Sequence, residues 1–279
     1  MTLRLTAPAK LNLFLHINGQ RADGYHLLQT VFQLLDYGDS MEFSVRQDDR
    51  IILHTNIQQL ALEDNLVYRA ARLLQQQCSE ATGATIRLEK ILPMGGGIGG
   101  GSSNAASTLL ALNQLWNCHL DMDELARIGL QLGADVPVFI RGHSAFAEGV
   151  GELLQAIDIP ETYYLVIKPG CEVSTRQIFS RKELTRDTPA ITIAAFFEQG
   201  GRNDCEAVVR QLYPEVDSAL NWLNQYGQAR LTGTGACVFS AFESASEAQR
   251  ILQLLPEKFQ GFVARGVNVS PTHRELNLL

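Results

Sequence analysis

The chain has 279 residues, of which 46% are hydrophobic and 19% are charged, and its formal net charge at pH 7 is −7. This composition is typical of a globular protein with one large or two moderate domains. The negative charge argues against a nucleic-acid-binding surface. No apolar run reaches the roughly 18 residues that a membrane span requires, and the N-terminal segment lacks the apolar core of a signal peptide. Five scattered cysteines without a C-x-x-C pair predict buried free thiols and a cytoplasmic protein.

The first part of the sequence predicts strands followed by a helix. Apolar and polar residues alternate over 3–17, which indicates two strands or one bent strand. Apolar runs on both sides of a turn at 37–40 indicate further strands. Helical spacing then begins after Asp64 or Asn65, either of which can cap the helix. The next strand is predicted over 84–92, directly before a stretch of glycines.

After the glycines the pattern becomes helical. One helix is predicted over 102–116, and a second over 121–133 begins with Asp121 and Glu124 at the spacing of a capping box. Residues 134–152 predict a tight turn followed by two short strands.

The second half mixes both kinds of element, which predicts an α+β fold. The predicted elements are a strand over 163–170, helices near 174–180 and within 191–224, a strand–turn–strand over 229–242, a helix from Ser246 and a strand over 262–270. The pattern loosens between the halves, so we place two domains at 1–155 and 156–279.

The glycine stretch predicts a phosphate-binding loop. Six glycines occur in the seven residues from Gly95 to Gly101, between a strand and a helix. Such a backbone lets a ligand approach closely, and the helix N-terminus presents unpaired N–H groups to an anion. The alternative, a flexible surface loop, does not explain why small residues follow immediately in the helix.

Three common phosphate loops do not fit this context. Gly95, Gly97 and Gly100 match G-x-G-x-x-G, but a dinucleotide site also needs an acidic residue at the end of the next strand, and Asp121 begins a helix instead. A Walker loop needs a lysine directly after the second glycine of its motif. Here Gly100 is followed by Gly101 and Ser102, and not by a lysine. The glycine loop of protein kinases joins two strands and does not open a helix.

The full stretch P-M-G-G-G-I-G-G-G-S-S-N-A-A resembles the glycine loop of the GHMP kinases, the family of galactokinase, homoserine kinase and mevalonate kinase. Three further blocks resemble motifs of the same family: Ala7–Phe32, Leu132–Glu152 and Arg230–Phe242. The resemblance covers nearly the whole chain. The glycine triplets and the D-G-Y-H turn are most similar to the branch that phosphorylates a cytidine-diphosphate methylerythritol.

The resemblance implies a two-domain fold, with a nucleotide-binding N-terminal domain and the site in the cleft between the domains. It implies ATP-dependent phosphorylation of the 2-hydroxyl of that substrate in the non-mevalonate isoprenoid pathway, with Mg²⁺ as a second cofactor. We expect no metal site built from protein ligands alone. We also expect a small-molecule substrate, a monomer or weak homodimer, and no nucleic-acid or membrane partner.

Two residues are the catalytic candidates. Asp135 precedes Val136-Pro137, and an aspartate there is usually a local backbone cap, but the match of this block to the family motif implies that it is the base. Lys10 stands among apolar residues in a strand, where a charge must be paired or hydrated. An edge-strand lysine is the simpler alternative. The resemblance implies that Lys10 pairs with Asp135 and stabilises the transferring phosphoryl group.

The family motifs also imply ATP-binding positions. These are Asn65, Lys90, Pro93, Met94, Gly95, Gly96, Gly97, Ile98, Gly99, Gly100, Gly101, Ser102 and Ser103. Local alternatives remain open for four of them: helix caps for the two serines and Asn65, and a solvated charge for Lys90.

The substrate-binding positions follow from the same resemblance. They are Asn12, Tyr25, His26, Val150, Thr175, Phe179, Gly233 and Gly235. Tyr25 and Phe179 would stack on the cytosine, and His26 would bond to its edge. A buried turn with a satisfied histidine, and a plain hairpin turn at the two glycines, are the alternatives. Arg176 stands where relatives are expected to have proline, which leaves the contacts around it open.

Two rival functions remain at this stage. Another GHMP kinase, such as homoserine or mevalonate kinase, would share the loop and the catalytic pair. A catalytically inactive sugar or nucleotide sensor could share the fold, although retention of both Lys10 and Asp135 argues against it.

Overall fold

The structure is a computed structural model that describes residues 2–57 and 60–278. The strands, numbered in chain order, are β1 (Thr2–Gln20), β2 (His26–Arg46), β3 (Ile51–Thr55), β4 (Gly83–Glu89), β5 (Ala145–Glu148), β6 (Leu153–Ala156), β7 (Tyr163–Pro169), β8 (Arg230–Leu231), β9 (Val238–Phe242) and β10 (Phe259–Val267). The helices are α1 (Leu66–Gln77), α2 (Gly100–Leu115), α3 (Met122–Leu130), α4 (Val136–Arg141), α5 (Thr175–Phe179), α6 (Ile193–Gln199), α7 (Glu206–Leu212), α8 (Pro214–Leu223), α9 (Ala245–Leu252) and α10 (Pro271–Glu275). This mixture confirms the predicted α+β class.

In the described part of the chain, no helix combines the length and the apolar character needed to cross a membrane.

The strands join into one sheet that runs through both halves of the chain. The order is β3-β4-β2-β10-β7-β9-β8, with β1 paired to β2, and β5 paired to β2 and β6. β2 is the common partner because its 21 residues are long enough to pair with four strands. Strand β10 connects the two halves, since it pairs with β7 along its length and with β2 at Gly266 and Val267.

The hairpin of β1 and β2 confirms one prediction and corrects another. β1 is a single bent strand with a register shift just after Pro8, as the alternation allowed. The turn predicted at 37–40 is wrong, because β2 continues through it and Gly38 pairs with Pro8. A Cβ on Gly38 would collide with the carbonyl of Ala7. This glycine therefore permits a close approach of two strands and not a reversal of the chain.

The helices of the first half pack on one face of the sheet. Asn65 caps α1 by accepting a hydrogen bond from Val67 N, and Asp121 and Glu124 form the predicted capping box of α3. α4 is a correction, because a turn and strands were predicted there. Pro137 lies in the first turn of α4, where a proline needs no N–H partner.

Three apolar clusters fill the described structure. The first lies between α1–α4 and the sheet, the second fills the C-terminal half, and the third joins them through residues such as Leu11, Phe14 and Val166. The chain returns to the first cluster at its far end: Leu276 is buried there, and α10 packs on β1. The third cluster therefore joins the N-terminal and C-terminal parts of the chain. The boundary at 155/156 remains a prediction.

The cysteines differ from the prediction of five buried free thiols. Cys78, at the end of α1, and Cys118, just after α2, form a disulfide with their Cα atoms 5.2 Å apart. Of the other three, Cys205 and Cys237 are buried and Cys171 is half-buried. The prediction failed because 40 residues separate the bonded pair in sequence. Only the packing of α1 against α2 brings the two ends together.

Candidate active site

The glycine loop, residues 93–103, crosses the cleft at the N-terminus of α2. Gly97 and Gly99 have φ values of +73° and +74°, which side chains rarely adopt. A Cβ on Gly97 would lie 2.5 Å from Thr232 O, and one on Gly99 would lie 2.9 Å from the Phe139 ring. Both steric and conformational demands therefore require glycine at these positions.

Main-chain hydrogen bonds fix the loop to both halves of the molecule. Lys10 N, on β1, donates to Ile98 O at 3.0 Å, and Cys237 N donates to Gly96 O at 3.0 Å. Gly99 occupies the cap position of α2 and has no side chain to satisfy the first N–H groups of that helix. The loop thus presents helix N–H donors to the cleft, as phosphate binding requires.

A cavity of about 400 Å³ opens beside this loop. It brings together the predicted ATP-binding residues apart from Ser103, namely Asn65, Lys90, Pro93, Met94, Gly95, Gly96, Gly97, Ile98, Gly99, Gly100, Gly101 and Ser102. Leu60, Leu66 and Val67 add apolar surface. The cavity combines apolar surface with a polar loop, which suits a nucleotide with its base and phosphates.

Ser103 lies just outside the cavity lining and is fully buried. Its Oγ has no hydrogen-bond partner among the described residues. No group of three or more His, Cys, Asp or Glu side chains suited to a metal occurs in the described ranges. Ser102 lines the cavity beside the loop, so its hydroxyl fits a place beside a Mg²⁺ ion bound to phosphate oxygens.

Asp39 lies beneath the loop and was missed by the sequence analysis. Its carboxylate is completely buried and accepts hydrogen bonds from Ile91 N and Leu92 N at 2.8 Å, and from Asn104 Nδ2 at 2.9 Å. Lys90 Nζ contacts the same carboxylate at 2.5 Å. Asp39 thus joins the residues before the glycine loop to the first turns of α2.

This pairing also rules out the solvated-charge alternative for Lys90. Its side chain is only 9% exposed and its ammonium group also donates to Asn104 Oδ1. The site of Asp39 was not visible in the sequence because residues 37–40 looked like a surface turn.

Lys10 is a buried cation beside the glycine loop. Its Nζ donates to Asn12 Oδ1 at 2.6 Å and to Gly97 O at 3.1 Å, and it lies 3.2 Å from Asp135 Oδ2. The side chain is 3% exposed, so it is not an edge-strand lysine facing water. The structure therefore brings the two predicted catalytic residues into contact at the glycine loop.

Asp135 precedes the first residue of α4 and is the more accessible partner. Its side chain is 35% exposed and makes no capping hydrogen bond to the helix, which removes the local alternative for this residue. The backbone of Asp135 is in the helical region, directly before α4. The carboxylate is thus free on one side for a ligand and held on the other by Lys10.

Asn12 contacts the catalytic lysine directly. Its Oδ1 accepts from Lys10, and its Nδ2 donates to Thr30 Oγ1 at 2.9 Å. Its main-chain N–H donates to Thr232 Oγ1 at 2.9 Å, which links β1 to the turn that contains Gly233 and Gly235. The side chain of Asn12 therefore orients Lys10, and direct contact with a substrate remains a prediction.

Four more of the predicted substrate residues differ in exposure and backbone geometry. Val150 is half-buried and Thr175 is exposed, with its Oγ1 2.8 Å from Thr234 Oγ1. Gly233 and Gly235 both have positive φ, and a Cβ on Gly233 would lie 3.0 Å from Gly97 O. The turn and the glycine loop are therefore packed against each other, which a plain surface hairpin would not need.

Tyr25 and His26 lie at the tip of the β1–β2 hairpin. Tyr25 is 64% exposed, whereas the His26 ring stacks on Phe179 with the centroids 4.7 Å apart. Arg186 Nε donates to His26 Nε2 at 3.0 Å. Burial, and then the positive charge of Arg186, lower the pKa of His26 below its usual value. Arg186 was not among the predicted residues, since it is separated from His26 by 160 positions.

The sheet, the phosphate loop and the lysine–aspartate pair define a kinase of small molecules, and comparisons with known proteins agree. The profile described as GHMP kinases N terminal domain matches residues 65–143, and the one described as GHMP kinases C terminal matches residues 184–261. The chain belongs to the GHMP kinase family. It is therefore an enzyme that uses ATP as phosphoryl donor.

Curated relatives are similar over the whole chain. A protein of Pseudomonas paraeruginosa named 4-diphosphocytidyl-2-C-methyl-D-erythritol kinase is 57% identical over 277 residues, covering 99% of this chain and 98% of that protein. A protein of Hahella chejuensis with the same name is 54% identical over 286 residues, covering 99% of this chain and 97% of that protein.

Solved structures show the same architecture. A crystal structure titled 4-(cytidine 5'-diphospho)-2C-methyl-D-erythritol kinase is 30% identical, with a TM-score of 0.84 over 95% of this chain and all of the other. Homoserine kinase of Cytophaga hutchinsonii is 16% identical, with a TM-score of 0.67 over 97% of this chain and 96% of that one. The second match shows the shared fold alone.

Proposed function

We propose that this enzyme transfers the γ-phosphoryl group of ATP to the 2-hydroxyl of 4-diphosphocytidyl-2-C-methyl-D-erythritol, a step of the non-mevalonate isoprenoid pathway. The observation that carries the reaction is the contact of Lys10 with Asp135 beside the glycine loop. Support for the substrate comes from the names of relatives that are more than half identical over almost the entire chain.

The chemistry of the site is that of positioning and charge stabilisation. The N–H groups of the loop and of the first turn of α2 would bind the phosphates. Asp135 would orient the attacking hydroxyl and accept its hydrogen bond, since its carboxylate is accessible and held on one side by Lys10. Lys10 would stabilise negative charge on the transferring phosphoryl group, because its ammonium lies at the loop and is excluded from water.

Mg²⁺ is part of the proposal. Ser102, which lines the cavity, is the protein hydroxyl that would hold it, together with phosphate oxygens. Its chemical contribution would be to neutralise charge on those oxygens. We propose that the reaction takes place in the cytoplasm, although a disulfide such as Cys78–Cys118 is rare there. We expect a monomer or weak homodimer.

The base end of the substrate would lie at the hairpin tip. Tyr25 offers an exposed aromatic face and Phe179 a second one, although His26 covers part of Phe179 in the described structure. Val150, Thr175, Gly233 and Gly235 would line the path between the base and the reacting hydroxyl. Asn12 would act on the reaction through Lys10.

The test is direct turnover. The purified protein is mixed with ATP, Mg²⁺ and the cytidine-diphosphate methylerythritol, and ADP release is measured together with the phosphorus spectrum of the product. A new phosphomonoester signal is expected. Turnover of homoserine or mevalonate in its place would identify another activity of the family, and binding of ATP without turnover of any alcohol would favour an inactive sensor.

A further inference from the structure

The side chain of Arg186 is held in one orientation by four hydrogen bonds. Its guanidinium group donates to the carbonyl oxygens of Phe179 at 2.9 Å, Arg181 at 2.7 Å and Leu184 at 3.0 Å. The fourth bond, from Nε, goes to His26 Nε2 at 3.0 Å. The three carbonyl contacts fix where the fourth donor points, so Arg186 is a rigid donor facing the imidazole.

This contact determines which nitrogen of His26 carries the proton. A guanidinium group has only N–H donors and no acceptor, so Nε2 must present its lone pair. A neutral imidazole has one proton, which must then lie on Nδ1. Protonation of both nitrogens of the His26 ring would point the Nε2–H group at the guanidinium group of Arg186, which is unfavourable. Among the described residues, Arg186 is the charged group in contact with this ring, and Phe179 on its face is uncharged.

The proton on Nδ1 is available to a ligand. In the ranges 2–57 and 60–278, no hydrogen bond to His26 Nδ1 is found, and this atom is not among the unpartnered polar atoms that are sealed from solvent. Nδ1 is therefore an oriented donor without a protein acceptor, at the rim of the cleft beside an aromatic face.

We infer that Arg186 is a positioning residue that fixes His26 as an Nδ1–H donor and thereby makes the base end of the site select cytosine over uracil. The inference rests on the proposed function, because it assumes that a pyrimidine base lies there. Cytosine has an acceptor at N3, which can receive this hydrogen bond. Uracil has an N–H group at N3, which would face the Nδ1–H donor and leave both groups unpaired.

A simple structural role for Arg186 predicts something different. Its three carbonyl contacts hold the segment 179–186 in place, so its loss could distort the pocket. Such a distortion would weaken cytosine and uracil nucleotides alike at every pH. Loss of the fixed tautomer would instead change the ratio of the affinities for cytosine and uracil nucleotides. It would change this ratio only at a pH at which His26 is neutral.

Nuclear magnetic resonance of the ligand-free protein tests the tautomer directly. In ¹⁵N-labelled wild type at pH 8, His26 should show an unprotonated Nε2 and a protonated Nδ1; the His26→Gln variant assigns the signals. Arg186→Met should shift the population toward the Nε2–H form, and Arg186→Lys, which retains a donor, should shift it less. A wild-type ring protonated at Nε2 at pH 8 would overturn the inference, whether or not the protein is a kinase.

Calorimetric titration with CDP and UDP tests selectivity. Wild type should favour CDP by at least about fivefold at both pH 8 and pH 5.5, since uracil would leave its N3–H group and the Nδ1–H donor of His26 unpaired. Arg186→Met should lose most of this preference at pH 8 and regain it at pH 5.5, where an imidazolium again places a proton on Nδ1. The diphosphate groups titrate alike in both nucleotides. The ratio of the CDP and UDP affinities at a given pH therefore reports only the contribution of the base.

Arg181→Met is the matched control, because it removes the same charge from the same segment and pairs with Glu183 instead of His26. Its preference for CDP should equal that of wild type. Equal binding of CDP and UDP by wild type, or a preference that survives in Arg186→Met at pH 8, would contradict the inference. Selective CDP binding without turnover of the methylerythritol substrate would refute the proposed function and leave the inference standing.

Discussion

The two ends of the proposed site differ in how much of each is enclosed by the protein. At the phosphate end, the glycine loop is held by main-chain hydrogen bonds to both halves, by the buried Asp39 beneath it and by Lys10 beside it. At the base end, Tyr25 lies largely exposed on a hairpin tip, and the second aromatic candidate, Phe179, ends α5 and is stacked on His26. The contacts at the phosphate end are mostly within the protein, whereas the base end presents surfaces that a ligand would complete.

This difference follows from what each end must do. Hydrogen-bond donors that are already in position stabilise the charge that develops during phosphoryl transfer. Rigidity at the phosphate end therefore increases the rate. Recognition of a flat base requires a face and an edge, which two or three side chains can provide. Substitutions at the phosphate end should therefore change turnover or stability, and substitutions at the base end should mainly change KM.

The largest effect is expected at Asp135. Asp135→Ala should lower kcat by about 10²–10⁴-fold, because it removes the group that orients the attacking hydroxyl. ATP affinity, measured by calorimetry, should stay nearly unchanged. Asp123→Ala is the control, since this exposed carboxylate pairs with Arg141 on the surface. Wild-type turnover in Asp135→Ala would remove this residue from the mechanism.

The next effect concerns the support of the loop. Asp39→Asn should reduce the free energy of unfolding by roughly 3–5 kcal/mol, because it leaves the buried Lys90 ammonium without its counter-charge. Urea denaturation measures this change. The double variant Asp39→Asn with Lys90→Met should recover part of the loss. Asp36→Asn, at a half-exposed pair with Arg265, should change stability little. Equal stability of the two asparagine variants would show that Asp39 does not support the loop.

A smaller effect is expected at the base end. Tyr25→Ala should raise KM for the cytidine substrate by about 5- to 150-fold, as removal of one stacking contact costs roughly 1–3 kcal/mol, and should leave kcat nearly unchanged. Steady-state kinetics separates the two constants. Tyr226→Ala, at an exposed tyrosine beside Trp222, is the control. A fall in kcat with an unchanged KM would place Tyr25 outside the base site.

The smallest effect is a dependence of stability on pH. Burial lowers the pKa of His273, which lies behind α4 and bonds to Ile140 O, and burial together with Arg186 lowers that of His26. Unfolding lets both take up protons at their ordinary pKa of about 6.5. Their contribution to stability is therefore complete above that pH and is lost as the pH falls below it, by at most about 1.4 kcal/mol per pH unit for each group.

Urea midpoints between pH 5 and 7.5 measure this slope. His273→Gln should flatten it more than His26→Gln, because His273 is the more deeply buried of the two. Identical slopes in both variants and wild type would mean that neither histidine is held neutral by the fold.

Local chemistry made the phosphate end visible in the sequence. Glycines before a helix have few other uses, and the motif around Asp135 is close to that of the family. What was missed depends on tertiary structure. Asp39 looked like part of a turn because the neighbouring Gly38 was taken for a chain reversal, whereas it allows β1 and β2 to approach.

The remaining errors have the same origin. A tight turn and strands were predicted over 134–152, although a proline such as Pro137 also fits the first turn of a helix. The bond between Cys78 and Cys118 depends on two helices packing side by side, which no spacing in the sequence reveals. Arg186 meets His26 only after the C-terminal half folds against the hairpin. Local sequence patterns thus could not predict contacts between residues that are distant in the sequence.

One antiparallel ribbon carries both ends of the site, with Lys10 along β1 and His26 at the start of β2. Because the length per residue of an extended strand is fixed, the number of residues between Lys10 and His26 sets the distance between them. Two residues inserted into each strand would keep every side chain on its own face and lengthen the ribbon by about 7 Å. Under the proposed function, the lengthened hairpin would match a correspondingly longer substrate, so the length of this ribbon would set which substrates reach both ends at once.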